Sequence, residues 1–309
     1  EVGEVLGPRE DGVGEDLQSF VHSTIDGLVE NVCSNVASLR QSCGGPLTAL
    51  VDLCRDAGLP FFPRVRMNSH YVIDQAHPGY GRFRRDNPHL LIGRPDEELA
   101  EGTIEYGLRT GLNYARAEVR DYMLAITCEC LERWDVDGIE LDFMRHPGYF
   151  RIDEAYANRY LMTDLVERVR IRMRELAAER GRELTLIVRV PPTIADATRT
   201  GIDVVEWMND DLVDIVVAGG GFIPFETPVH EFVEAARGTH CLVYGCIEAT
   251  RQIDDRTLTA LAYRWLKDGA DGVYLYNFFT MTPAWNKRQF DTLTDLGAMD
   301  RRDKRYELD

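Results

Sequence analysis

Lysine is almost missing from this 309-residue sequence, occurring only as Lys267, Lys287 and Lys304. None of the three falls on an expected strand end, which disfavours Schiff-base chemistry, and no P-loop is present. No apolar run is long enough to span a membrane, and the start shows no signal-peptide pattern. The chain opens on Glu1 rather than Met, which leaves room for an upstream segment. Cys33, Cys43, Cys54, Cys128, Cys130, Cys241 and Cys246 are an odd set without a C-x-x-C pair. Cys128 and Cys130, two apart on a helix, cannot face one ligand together. Reduced thiols and a reducing, cytoplasmic compartment are therefore expected. There is no H-x-H, H-E-x-x-H or G-x-S-x-G, and Gly219-Gly220-Gly221 lacks the rest of a dinucleotide fingerprint. Neither a metal nor an organic cofactor is expected. The formal charge of −17 argues against nucleic acid or an acidic membrane as partner.

What the chain does have is a recurring alternation of β-branched apolar runs and amphipathic stretches. Strands are expected at Leu28–Cys33, Phe61–Met67, Gly138–Phe143, Leu184–Val190, Leu212–Ala218, Cys241–Ile247 and Gly272–Asn277. Helices are expected at Glu118–Trp134, Asp153–Arg180, Pro228–Arg237, Asp255–Asp268 and Asn286–Leu296, with Gly181 stopping the second. Strands alternating with helices mean parallel β-α units, and seven of them approach a TIM-like (β/α)8 barrel whose first strand is uncertain in this chain. A doubly wound open sheet is the structural alternative, without the Gly-rich turn that would normally announce it. Residues 1–16 are set apart as an extension, 17–300 form one barrel domain, and 301–309 are a tail. The connection from Asn68 to about Gly111 is long and aperiodic, and should lie over the barrel mouth.

The most informative stretch is Trp134-Asp135-Val136-Asp137-Gly138-Ile139-Glu140-Leu141-Asp142-Phe143-Met144-Arg145-His146-Pro147. A strand has period two, so Glu140 and Asp142 share one face and Ile139, Leu141 and Phe143 the other. The acidic face should look into the barrel, with Asp142 at the C-terminal end where barrel enzymes place their chemistry. Parity gives the rest of the inward set: Arg64, Arg66 and Asn68, then Arg189, then Tyr244, Cys246 and Glu248, and finally Asn277. Asp142 and Glu248 each end a strand, as glycosidic bond cleavage by paired carboxylates requires. A salt bridge from Glu248 to Arg251 is the plainer reading of that residue. For Glu140 and Arg66 it is a structural ion pair filling the lower barrel.

The run Leu112-Asn113-Tyr114-Ala115-Arg116-Ala117-Glu118-Val119-Arg120-Asp121-Tyr122, followed by Asp137-Gly138-Ile139-Glu140-Leu141-Asp142-Phe143, resembles the family-10-like glycosyl hydrolase proteins. The order of Arg64–Asn68, Asn87-Pro88, Arg189–Pro192 and Asp271-Gly272 through Asn277 is also similar to that group, from about residue 27 onward. The resemblance implies a TIM barrel acting on carbohydrate. The same strand is similar to the chitinase D-G-x-D-x-D-x-E signature, with Asp137, Glu140 and Asp142 on its aspartates. Met144 stands where that signature has its catalytic Glu, and Met cannot donate a proton.

Around the mouth, Tyr71, Tyr80, Phe83, Tyr149, Phe150 and Trp285 could stack on sugar rings, or Trp285 could pack on the barrel rim. Arg82, Arg84, Arg85, Arg94, Arg145 and Arg151 cluster in these loops, suited to an anionic saccharide or simply to offsetting nearby acids. The expectation is a glycoside hydrolase with Asp142 and Glu248 as the catalytic pair. Arg64, Arg66, Asn68, His70, Glu140, Arg145, His146, Arg189, Asn277 and Trp285 would contact substrate. The rivals are a catalytically degenerate carbohydrate-binding barrel, and a metal-dependent hydrolase or lyase using Asp142, Glu248 and His70.

Overall fold

The structure, a computed structural model, describes residues 28–70, 75, 80–94, 96–220, 227–248, 254–278, 283–293 and 295–305, without the side chains of 28–33 and 283–286. The expected extension 1–16 lies outside the described residues. Leu28–Cys33 is not a strand. It is the start of helix α1 (Leu28–Cys43), followed by α2 (Pro46–Asp56). The short run looks β-like because it is rich in apolar residues, but Val29, Val32, Val36 and Leu39 recur at steps of three and four. That helical period extends past the end of the run and decides its conformation.

The remaining expected strands are present. They are β1 (Arg64–Arg66), β2 (Gly138–Asp142), β3 (Thr185–Val190), β4 (Ile215–Ala218), β5 (Leu242–Glu248) and β6 (Gly272–Tyr276). All pair in parallel in the order β1-β2-β3-β4-β5-β6. Sequential order with crossovers of one hand puts the connecting helices on one face and leaves the other to curl around a lumen. The curl is visible in one contact. The Tyr274 hydroxyl of β6 donates to Glu140 Oε2 of β2 at 2.8 Å. In a flat sheet these strands would stand about 19 Å apart, at about 4.8 Å per step. The six strands thus form a parallel, barrel-like sheet. Eight strands are not present among the described residues.

Between β1 and β2 come α3 (Arg82–Asp86), a 3-10 turn at Pro88–Leu90, α4 (Ile104–Leu108) and α5 (Ala117–Arg133). The described residues of the long connection thus carry short helices, and a Leu91–Leu112 antiparallel bridge ties them together. After β2, the single helix expected over Asp153–Arg180 is two, α6 (Ile152–Ala155) and α7 (Arg159–Arg180). Gly181, at φ 65, closes α7 in the left-handed region that glycine enters without a Cβ clash. The later helices are α8 (Ile194–Arg199), α9 (Val204–Asn209), α10 (Val229–Ala235), α11 (Asp255–Lys267), α12 (Pro283–Leu293) and α13 (Leu296–Asp300).

Strand parity sorts the apolar residues into two groups. Val65, Ile139, Leu141, Leu186, Val188, Val190, Val216, Val243 and Ile247 pack outward with the helices, around the fully buried Trp207 and Trp265. Ile187, Val217, Cys246 and Tyr276 form a separate inner cluster with Tyr244 and Tyr274 at its margin.

Register is pinned by a repeated device at the bottom of the sheet. Asp137, Asp214 and Asp271 immediately precede β2, β4 and β6. Their carboxylates accept from the backbone N–H of Phe61 (2.8 Å), Leu186 (2.6 Å) and Val243 (2.9 Å). Each aspartate returns its own N–H to the carbonyl of the same residue, at 3.1, 3.0 and 2.8 Å. A one-residue slip would break both bonds of each latch and invert the faces of the strand.

Candidate functional site

The site is built on the inner face at the C-terminal ends of the strands. Asp142, the last residue of β2, is buried beside Arg189 of β3, and the two side chains have no solvent exposure. Arg189 donates from Nε to Oδ1 at 3.1 Å and from Nη2 to Oδ2 at 2.8 Å. Oδ1 also accepts from the backbone N–H groups of Met144 (3.1 Å) and Arg145 (3.0 Å). Arg64 Nε of β1 stands 3.9 Å from Oδ2. The lone pairs of Asp142 are thus largely taken, and the loop carrying Arg145 and His146 is folded around its carboxylate. Burial opposes the charge on Arg189, but Asp142, Cys246 and Tyr276 together raise its pKa.

Glu140, one pleat lower, differs in chemistry. Its Oε2 accepts from Tyr274, and Oε1 has no hydrogen-bond partner among the described residues. Burial, reinforced by the nearby Asp142 charge, pushes its carboxyl up to about 7 against the opposing pull of Tyr274, Arg64 and Arg189. Arg64, its register partner, and Arg189 are the arginines whose charges act on it.

Glu248 ends β5, and its Oε1 accepts from Asn277 Nδ2 at 2.8 Å. Asn277 has the wrong parity to follow Tyr274 and Tyr276 into the lumen. It reaches Glu248 because its backbone turns left-handed, at φ 58, a conformation asparagine tolerates better than most residues. Tyr276 lies between the arginines, its ring 4.0 Å from the Arg189 guanidinium carbon and 4.6 Å from that of Arg64. Both β6 tyrosines are absent from the set proposed on sequence, although Gly272, Tyr274 and Tyr276 alternate with Val273 and Leu275 and carried the signal.

Other expected contacts have structural tasks. The Asn68 side chain donates to the carbonyls of Leu112 (2.9 Å) and Gly148 (2.7 Å) and accepts from the N–H groups of Leu112 and Ser69, both at 3.0 Å. Its amide is saturated and staples β1 to the long connection and the loop after β2. His70 and His146 meet edge to face with ring centroids 5.4 Å apart. Burial and the Arg84 charge lower His70 to about 4. Burial, His70, Arg145 and Arg66 lower His146 to about 3. Both rings are therefore neutral at physiological pH. Tyr149 and Phe150 lie in the core instead of the mouth, and Tyr80 is equally buried. Phe83 stacks on Tyr122 of α5 at 3.7 Å. Their large apolar areas are better removed from water than exposed on a rim. Trp285 falls in the first turn of α12, its side chain outside the described residues, as are Tyr71 and Arg251. Among the described residues no His, Cys, Asp and Glu group is arranged to hold a metal ion.

The segment that carries the family resemblance also proves structural. Tyr114 is fully buried and donates to the Met67 carbonyl, and Asn113 Oδ1 accepts from Ala115 N at 3.0 Å. The Tyr114 bond ties the start of α5 to the C-terminal end of β1.

No protein-family model and no curated protein matches the chain. Among solved structures it is similar to a GH36 alpha-galactosidase of Geobacillus stearothermophilus in complex with stachyose, with 13% identity and a TM-score of 0.49 over 85% of this chain and 34% of that one. It is also similar to the galactosidase domain of an alpha-galactosidase-sucrose kinase, with 14% identity and a TM-score of 0.47 over 82% and 32%. For an alpha-galactosidase of Thermus thermophilus the values are 13% and 0.42 over 80% and 50%. The chain spans a third to a half of the length of these structures. At this distance no residue role passes from them to this chain.

Proposed function

We propose that the chain is a glycoside hydrolase that cleaves an oligo- or polysaccharide above the C-terminal ends of β2 and β5. The observation carrying this reading is that Asp142 and Glu248 end their strands on one inner face, each oriented by a dedicated side chain, Arg189 and Asn277. Two oriented carboxyl groups flanking a sugar suffice for the reaction. One protonates the leaving oxygen as the anomeric C–O bond breaks, and the other attacks the anomeric carbon or deprotonates the incoming water. Net addition of water gives two free sugar ends. Glu248 takes the proton-transfer role in this reading, with the Asn277 amide orienting its Oε1. Asp142, fixed by Arg189 and two backbone amides, places negative charge against the cation-like transition state. The completion of the sheet to an eight-stranded barrel belongs to the same proposal.

One observation favours a carbohydrate-binding barrel as the second reading. Asp142 accepts three hydrogen bonds on Oδ1 and one on Oδ2, and a carboxylate stabilised by so many donors is a poorer nucleophile than one with fewer. A glycan panel with reducing-end detection decides between the two. New reducing ends with the wild type, and a loss of about 100-fold or more in Glu248→Gln, are expected of the hydrolase. Binding without cleavage across the panel would overturn it in favour of the second reading.

A further inference from the structure

Tyr276, the last residue of β6, carries a hydroxyl that the protein leaves unused. The residue is 1% exposed, and its Oη has no hydrogen-bond partner among the described residues. A buried hydroxyl without a partner is destabilising, and most such groups in folded proteins find one.

The sheet places this residue beside both carboxylates of the site. Tyr276 is the register partner of Glu248 on β5. Its ring lies 4.0 Å from the guanidinium carbon of Arg189, the residue that holds Asp142, and 4.6 Å from that of Arg64. It also acts on Arg145 of the loop after β2, opposing the lowering that burial imposes there. Two guanidinium groups against one ring fix the position of the oxygen at its tip.

The surroundings offer the hydroxyl proton little. Guanidinium groups carry donors and no acceptor, so neither Arg64 nor Arg189 can receive it. Asp142 already accepts from Arg189 and from the backbone N–H groups of Met144 and Arg145. Two other buried polar atoms of the inner face are placed differently. Glu140 Oε1 belongs to the pleat below Asp142. Arg189 Nη1 is closed in by Gly220, where an added Cβ would come within 3.0 Å of it. Tyr276 stands at the strand ends, level with the carboxylates.

We propose that Tyr276 is a substrate contact whose hydroxyl donates a hydrogen bond to one hydroxyl oxygen of the sugar seated between Asp142 and Glu248. The inference rests on reading this face as a carbohydrate-hydrolysing site, and deepens it by naming a specificity-determining residue. Arg64 keeps 29% of its side chain exposed, and a swing of that side chain off the ring gives the sugar access. A buried donor that needs an acceptor rejects a sugar lacking the matching oxygen, because the donor then stays unpaired.

The test uses the whole chain, its Tyr276→Phe variant, and a panel of oligo-glucosides, -galactosides, -mannosides and -xylosides. Calorimetric titration reads binding, and reducing-end release reads cleavage. Tyr276→Phe keeps the ring and both of its arginine contacts and removes only the oxygen. Its Tm should equal or exceed that of the wild type, since the lost hydroxyl had no partner in the protein. Binding of the best member of the panel should nonetheless weaken about 10- to 100-fold. Singly deoxygenated versions of that glycan identify the oxygen. One of them should bind the wild type as weakly as the parent binds the variant, and the variant should fail to distinguish the two by more than about threefold. A fall in Tm, or binding within about threefold of wild type, would overturn the inference. Binding that depends on Tyr276 without cleavage upholds the inference and overturns the hydrolase reading. Cleavage indifferent to Tyr276→Phe upholds the hydrolase and overturns the inference. Neither binding nor cleavage overturns both.

Discussion

Arg189 holds Asp142 by two nearly parallel hydrogen bonds, 3.1 and 2.8 Å, at a place where neither side chain touches solvent. The pair joins β2 to β3 on the inner face and anchors the backbone of Met144 and Arg145 at the mouth. It makes Asp142 an organiser of the loop that follows β2.

Breaking that pair from one side should be costly. Arg189→Met leaves a buried carboxylate uncompensated and should destabilise the protein by about 3–5 kcal/mol in urea unfolding. The double replacement Arg189→Met with Asp142→Leu removes both charges and should recover most of that loss. Additive destabilisation in the double variant would mean that the two residues do not act as a unit.

Asn277 owes its contact with Glu248 to a left-handed backbone. Asn277→Gly keeps that backbone available and removes the amide, so stability should fall by only about 1 kcal/mol. Cleavage by the resulting protein should fall by about tenfold or more, because Glu248 loses its orienting donor. Asn277→Val should add a further cost of about 1–2 kcal/mol from forcing a β-branched residue to positive φ. Thermal denaturation and steady-state kinetics on the same preparations separate the two effects.

Glu140 should give the protein a slope of stability with pH. Its carboxyl is raised from 4.5 to about 7 on folding, so between these values the folded state holds the proton that the unfolded state has lost. The resulting cost is absent below about pH 4.5 and complete above about pH 7. Glu140→Gln should therefore be more stable than the wild type by about 2–3 kcal/mol at pH 8. The difference should vanish near pH 4.5, as read by urea unfolding at each pH. Parallel curves for the two proteins would remove Glu140 as the source of the slope.

The latches at the bottom of the sheet predict a stability effect without a catalytic one. Asp271→Ala removes the acceptor for Val243 N–H while leaving the C-terminal ends of the strands untouched. A loss of about 1–3 kcal/mol is expected, with the relative activity toward different glycans unchanged. A change in glycan preference would show that the bottom of the sheet is coupled to the mouth.

Much of the inner face was legible in the sequence because strand parity is a local rule. Once Gly138–Asp142 is a strand, Glu140 and Asp142 must share a face, and the same holds for Arg64 with Arg66 and for Cys246 with Glu248. Three expectations fail where local rules stop. Leu28–Cys33 was too short a window to separate a strand from the first two turns of α1. Strand parity puts Asn277 outward with Val273 and Leu275, and it reaches Glu248 because its backbone turns to positive φ. Tyr149 and Phe150 follow a strand, which places them at the mouth by local rules, yet their apolar area draws them into the core.

The sequence by itself determined the order of β-α units, the two faces of each strand and the charge that each face carries, because these depend on neighbours in the chain. Only the tertiary structure decided which charges meet. Asp142 and Arg189 are 47 residues apart, and Glu140 and Tyr274 are 134 apart. Nothing in either segment specifies its partner until the sheet curls and brings strands four places apart into contact. The environment follows from that closure. The same strand carries one carboxylate locked to an arginine and another that keeps its proton to about pH 7, a difference set by burial and long-range pairing and invisible in the residues Glu140-Leu141-Asp142.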